Sequence, residues 1–524
     1  MEHRFDLATE EWISCLSVDG SLRRLGMAET LLQAHRLVSV EDPNPLAVLG
    51  IYRVLIALLH RAVDGPRTGK EWKQRFAEKR MRPDEIQRYF NRWRDRFDLF
   101  SEDHPFYQTA GLTLVDGQGA PRPVNISIIQ HPSTVNLTVF EHRSAGQPSG
   151  IPPSEAAKSL IAWQLYGFGG LNKKTTNLFG YQQSFFHAPL VGGIATIIVG
   201  QTLFDTLWLN ALLLQGNEPM PELDPSRNKP PWELEAEKRQ GTCKPAGYLD
   251  YLAPYSRHMR LVPEPDGRQT IVRHLHIAQG AKYEQVRDPM HHEKQDPKDP
   301  ERWYPPALRP DRALWRESSS LFAFTQMTGG DRASDHRPRA FLQFERLGLA
   351  ESSDARLSTV RCASFALSSA KANPLLWRHE LLSFPSRLLE DPNLVAELVD
   401  GLKRAELVGF GLSKVAEIYA REVLGKKPDE KNVALLAMAT GVSATYWDAV
   451  ESPFRRWLPL IGHEESRNAF FVAVRQAAER AYQGCIESRQ SGVDRYYRGV
   501  VFAQRALRGI LMRHLPELHQ EVNV

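Results

Sequence analysis

From Pro385 to the C-terminus the apolar residues recur with a helical period, and this all-helical tail constrains the fold more than any other stretch. Leu394, Leu398 and Leu402, with Val395 and Val399, make a stripe that starts after the helix-opening pair Asp391-Pro392. Val433 to Ala439 begins a second pattern beyond Gly425-Lys426-Lys427-Pro428. Phe470, Val474, Ala477 and Ala481 mark a third, and Tyr497, Val501, Ala503 and Leu507 through Leu511 a fourth. Four long helices with short connections predict an antiparallel four-helix bundle over residues 386–524. Residues 1–385 show no such uniformity, so the predicted fold is α+β: a large, mixed, irregular N-terminal domain followed by the bundle.

Within the mixed part, Trp12, Ile13 and Leu16 before Asp19-Gly20 suit an opening hairpin. Leu46, Leu49, Val54, Ile56, Leu58 and Leu59 predict a core helix, begun by Pro45 and ended at Asp64-Gly65; it carries Arg53 and His60, which argues against a membrane span. Two basic amphipathic helices broken near Arg82-Pro83 follow, their cations diluted by Glu71, Glu78, Asp84, Glu85 and Asp95. Val191 to Leu214 reads as strand and then helix. With 66 basic and 62 acidic residues the net charge is only +4, so any contact with nucleic acid must come from local patches. Cys15, Cys243, Cys362 and Cys485 lie far apart, without the paired spacing of a structural zinc site. Met1 to Asp6 lacks an apolar signal core, which predicts a cytoplasmic protein.

Two stretches carry the chemistry. Tyr166-Gly167-Phe168-Gly169-Gly170-Leu171-Asn172-Lys173-Lys174 is a glycine run closing on two lysines; glycine lets backbone approach a ligand where a side chain would block it. The cations suggest a phosphate-bearing partner, and a plain loop between helix and strand is the competing reading. Asn172 stands where a dinucleotide fingerprint needs its third glycine, and neither a phosphate-binding loop nor a serine-nucleophile elbow occurs. His291-His292-Glu293 could ligate a metal and so serve a metal-dependent nuclease. It sits in a polar, proline-bounded stretch with no further spaced ligand set, so no metal and no cofactor is expected.

His104-Pro105-Phe106-Tyr107-Gln108-Thr109 resembles the HPF-x-QT signature of the CasA family, the large subunits of the type I-E CRISPR surveillance complex Cascade. Gly167 to Gly170, Val191 to Thr196, Ala323-Phe324-Thr325 and Ala372 to Leu381 are similar to further family landmarks and keep their order along the whole chain. The resemblance implies a non-enzymatic subunit that joins the guide-RNA complex and its other subunits. Such a subunit reads the short motif flanking a target (the PAM) in double-stranded DNA, starts strand opening and R-loop formation, and recruits the CRISPR-associated helicase-nuclease. By the same resemblance Gly167, Phe168, Gly169, Gly170, Lys173 and Lys174 form the motif-reading loop, and Lys282 enters the minor groove, with Lys294 as the competing lysine. Ser368, Ser369, Ala370 and Lys371 form the strand-separating wedge. Leu137, Val139 and Phe140 match the loop that docks on the guide RNA and a neighbouring subunit, and read equally as strand-core residues. Arg495, Arg498, Arg505 and Arg508 on the last helix are expected to meet DNA phosphates, the alternative being a solvated face.

Overall fold

The structure, a computed structural model, describes residues 3–117, 120–124, 150–179, 183–214, 224–234, 241–283, 287–296, 298–322, 336–370, 373–488 and 494–519. The chain forms two compact units. The first comprises Met1–Leu321, Thr325–Ser352 and Arg361–Leu381; the second comprises Phe322–Phe324, Ser353–Val360 and Leu382–Val524.

In the first unit Ile13–Ser17 pairs antiparallel with Leu22–Leu25 across Asp19-Gly20, and Leu37–Val40 takes the other edge. Gly20 sits at φ +84°, a conformation that favours glycine in so tight a turn. The core helix Pro45–Ala62 is capped by the Asn44 carboxamide, which accepts from the Leu46 and Ala47 amides at 3.1 and 3.4 Å. Every residue from Pro45 to His60 is buried, as the all-round apolar pattern requires. It packs against the helix Pro153–Tyr166, and a Cβ on Gly50 would stand 2.7 Å from Ile161 Cγ2. The two basic helices, Gly69–Ala77 and Pro83–Arg92, turn Trp72, Phe76, Ile86 and Phe90 inward. Buried Arg75 is paired with Glu85, and outside Arg82 and Arg88 are paired with Glu78 and Asp84, so much of this basic face is neutralised by its own acids.

The HPF-x-QT residues are structural. Phe106 stacks on Trp232, Gln108 donates to the Leu99 carbonyl at 2.8 Å and accepts from the Leu261 amide at 2.7 Å, and Thr109 Oγ1 lies 2.8 Å from His258 Nδ1. They tie the loop to the long hairpin Arg257–Asp266 and Gln269–Gln279. A second sheet pairs Ile194–Val199 antiparallel with Thr359–Ala370, whose other neighbour is Asn373–Pro385.

In the second unit the helix Pro392–Leu424 contacts each of Glu430–Ala439, Val442–Trp457, Glu464–Tyr482 and Asp494–His514. Among the described residues the tail therefore has five α-helices of eight residues or more, one beyond the expected four. The second apolar pattern is split at Gly441, whose φ of +74° a helix cannot continue. Close approach to the central helix depends on its glycines: a Cβ on Gly409 would stand 2.6 Å from the Trp447 ring, and one on Gly411 2.6 Å from Ile510.

Candidate nucleic-acid interface

The helix Pro153–Tyr166 stops at Gly167, which keeps an ordinary φ of −59°. Glycine is needed there for room, because a Cβ would stand 2.6 Å from the Trp163 carbonyl oxygen. Phe168 turns inward, buried edge-on against the Trp163 ring at 6.0 Å, so it anchors the loop and presents no surface to a ligand. The expected amide cradle for phosphate is also absent at these glycines. The Gly167 N–H donates to the Trp163 carbonyl at 2.9 Å, and the Gly169 N–H to His187 Nδ1 at 3.2 Å.

Beyond Gly169 the chain forms a two-stranded antiparallel ribbon, Gly170–Asn172 with Gln183–Phe185, in the register Gly170 to Phe185, Leu171 to Ser184 and Asn172 to Gln183. Side chains alternate across a strand, so Asn172 and Phe185 share one face while Leu171, Ser184 and Phe186 share the other. The first face is inside. Asn172 accepts from Arg122 at 2.6 Å, and the Phe185 ring lies 5.1 Å from the Arg257 guanidinium. Leu171 is 80% exposed and Phe186 44%, with Ser184 exposed between them.

Arg257 sets this geometry. Fully buried, it donates through Nη2 to the carbonyls of Gly167 and Phe168, each at 3.1 Å, and to that of Phe186; through Nη1 it reaches the Ser256 carbonyl at 2.8 Å. One planar fork thus fastens both sides of the loop. Burial pulls its pKa down to about 9, which still leaves it cationic at neutral pH. His187 is held below its ordinary range by burial and by Arg257, and as a neutral ring it accepts the Gly169 amide at Nδ1.

Lys282 joins this surface. Its short strand Lys282–Tyr283 runs parallel to Thr242–Cys243, and its ammonium lies 4.3 Å from the centre of the Phe186 ring. A Cβ on Gly169 would stand 3.3 Å from the Phe186 carbonyl carbon, so glycine loop, Phe186 and Lys282 are contiguous. A cleft of about 420 Å³ opens beside them, lined among others by Phe186, His187, Tyr251, Lys282 and Tyr283. The competing Lys294 is paired with Glu317 at 3.3 Å. Of the two loop lysines, Lys173 is exposed, whereas Lys174 folds back with its ammonium 3.1 Å from the Ala120 carbonyl.

His291-His292-Glu293 is not the polar loop expected from its surroundings. Asp288 forms a buried two-point ion pair with Arg53 of the core helix, at 2.8 and 3.1 Å, which draws the segment into the interior. His291 packs over Gly193, and neither ring nitrogen of His292 has a protein partner. Burial lowers both histidines, His292 to about 3, so they are neutral at physiological pH. The Glu293 carboxylate is engaged elsewhere, with His336 at 2.7 Å and Arg287 at 3.7 Å. Among the described residues no group of three or more His, Cys, Asp or Glu is placed to hold a metal ion.

The remaining expected residues fall in three places. Ser368, Ser369 and Ala370 are the last residues of the strand Thr359–Ala370, and the next strand begins at Asn373. Lys371, and with it Leu137, Val139 and Phe140, lies outside the described residues. On the last helix Arg498, Arg505 and Arg508 are exposed and fall within roughly 80° of one another. Arg495 lies roughly 60° outside this arc, with its guanidinium over Gly425, and Arg498 approaches Glu422 at 3.6 Å. No sequence motif marked Arg257, His187 or Phe186, and Leu171 was visible only as a member of the glycine stretch, with no role assigned to it.

The family model of the CRISPR-associated protein Cse1 matches residues 6–483. A CRISPR-associated protein CasA/Cse1 from Thermus thermophilus is 28% identical over 501 residues, covering 92% of both chains. A crystal structure of Thermus thermophilus CasA superposes with a TM-score of 0.81 at 26% identity, over 98% of this chain and all of that one. Cse1 from Acidimicrobium ferrooxidans shares the fold, with a TM-score of 0.78 at 22% identity over 99% of each chain. A chain of a CRISPR RNA-guided surveillance complex shares it too, with a TM-score of 0.72 at 20% identity over 96% of this chain and 99% of that one. The chain belongs to the Cse1 (CasA) family, the large subunits of the type I-E Cascade surveillance complex.

Proposed function

We propose that this subunit reads the motif flanking a target in duplex DNA through the minor groove, with the outer face of the glycine ribbon and Lys282 as its reading surface. The observation that carries the reading is the contiguity of Gly169, Phe186 and Lys282 above a buried Arg257 that holds the loop in one shape. The minor groove offers a degenerate donor and acceptor pattern, so a surface reading there would accept several related motifs. The Ser368 to Lys371 hairpin would push between base pairs beside the motif. Phosphate contacts from Lys282 and from Arg498, Arg505 and Arg508 would offset the unstacking, and pairing with the guide RNA would follow. In this reading the subunit works in the guide-RNA complex, cuts nothing itself, and hands the opened DNA to the helicase-nuclease. The test is target binding by the assembled complex carrying Gly169→Val and Gly170→Val together. Binding weakened by about thirtyfold or more, with assembly intact, is expected; unchanged binding overturns the reading.

A further inference from the structure

The outward ribbon face is unusual in its chemistry. A phosphate-binding surface needs donors and cations, yet this face exposes the apolar Leu171 and Phe186, with the small Ser184 between them. The Lys282 ammonium lies over the Phe186 ring, so cation and apolar surface form one patch. This combination fits the edge of a duplex where an apolar sugar surface lies next to a phosphate. In a DNA minor groove the C–H edges of deoxyribose are apolar; in RNA the same groove displays 2′-hydroxyls. A hydroxyl pressed against Leu171 would lose its water without gaining a partner.

We propose that Leu171 and Phe186 pack on the deoxyribose edges of the flanking duplex and make this subunit selective there for deoxyribose over ribose. The inference rests on the minor-groove reading and adds a role for two residues that motif reading alone does not require. It is tested in the assembled guide-RNA complex, with a target duplex whose flanking nucleotides are deoxyribose or, in a second version, ribose. The unaltered complex is expected to bind the ribose version about tenfold more weakly. With Leu171→Ser, binding to the all-DNA duplex should fall by about threefold to tenfold, and the two duplexes should become equivalent. Because Leu171 is 80% exposed, its replacement leaves packing intact, which matched melting temperatures would verify. Equal binding of both duplexes by the unaltered complex, or a ratio that survives Leu171→Ser, overturns the proposal. A parallel arm with Lys282→Ala separates the two levels. If it weakens binding while the sugar ratio survives Leu171→Ser, only the sugar selectivity falls; if it leaves binding unchanged, the minor-groove reading falls with it.

Discussion

The glycine ribbon and the arginine face of the last helix are both candidate nucleic-acid surfaces, and they are built in opposite ways. The ribbon presents few charges, and its outline is set from beneath by Arg257, whose fork holds the carbonyls of Gly167, Phe168 and Phe186. On the helix Asp494–His514, Arg498, Arg505 and Arg508 project from regular backbone, with Tyr497 and Phe502 exposed among them. A surface fixed from beneath and carrying few cations suits discrimination, and a row of exposed guanidiniums suits attachment. In the proposed reading the difference would separate contacts that specify a sequence from contacts that position the duplex.

Arg257→Leu should have the largest effect. It removes the guanidinium from three carbonyls, of which that of Gly167 keeps the Ala188 amide at 2.9 Å, and we expect a loss of roughly 3 kcal/mol in urea unfolding, with target binding down by about a hundredfold. If stability drops and binding does not, the ribbon is merely structural and the contrast collapses. Lys282→Ala should weaken target binding on the order of tenfold and reduce the slope of log affinity against log salt by about one. Arg505→Ala and Arg508→Ala should each cost only about threefold, equally on favoured and disfavoured flanking motifs; a change in motif preference would assign reading to the helix as well.

Acidity gives the smallest effect and the sharpest separation of the two regions. The folded pKa of His187 lies below its ordinary 6.5, so below that pH the unfolded chain takes up more protons than the folded one, and the ribbon loses stability as pH falls. Protonated Nδ1 cannot accept the Gly169 amide. Motif discrimination should therefore decline between pH 7.5 and pH 5.5, while the effect of Arg505→Ala stays constant, since guanidiniums do not titrate there. His187→Asn, which keeps an acceptor that does not titrate, should remove the decline.

The parts of this molecule that were legible in its sequence are those set by local pattern. The stripe of Leu398 and Leu402, the capped helix after Asn44 and the turn at Asp19-Gly20 each follow from neighbours a few residues apart. The break at Gly441 was visible as a residue and missed as a structure, because apolar periodicity runs on through it. The site was legible as a location at Gly167 to Lys174, and less so as a mechanism. Phe168 reads as part of an open glycine loop until Trp163 is seen beneath it. Arg257 reaches across 71 to 90 residues of sequence to its three carbonyls, and the Arg53 and Asp288 pair that buries His291 and His292 spans 235. Partners at such separations leave no mark on spacing or composition.

The central claim is that the flanking motif is read from the minor groove, and base analogues test it most directly. Target binding by the assembled complex would be compared on duplexes carrying inosine for guanine in the flanking motif, which removes the minor-groove amino group, and 7-deazaguanine, which alters only the major-groove edge. Binding should shift several fold with inosine and not at all with 7-deazaguanine. Sensitivity to 7-deazaguanine with indifference to inosine would contradict it.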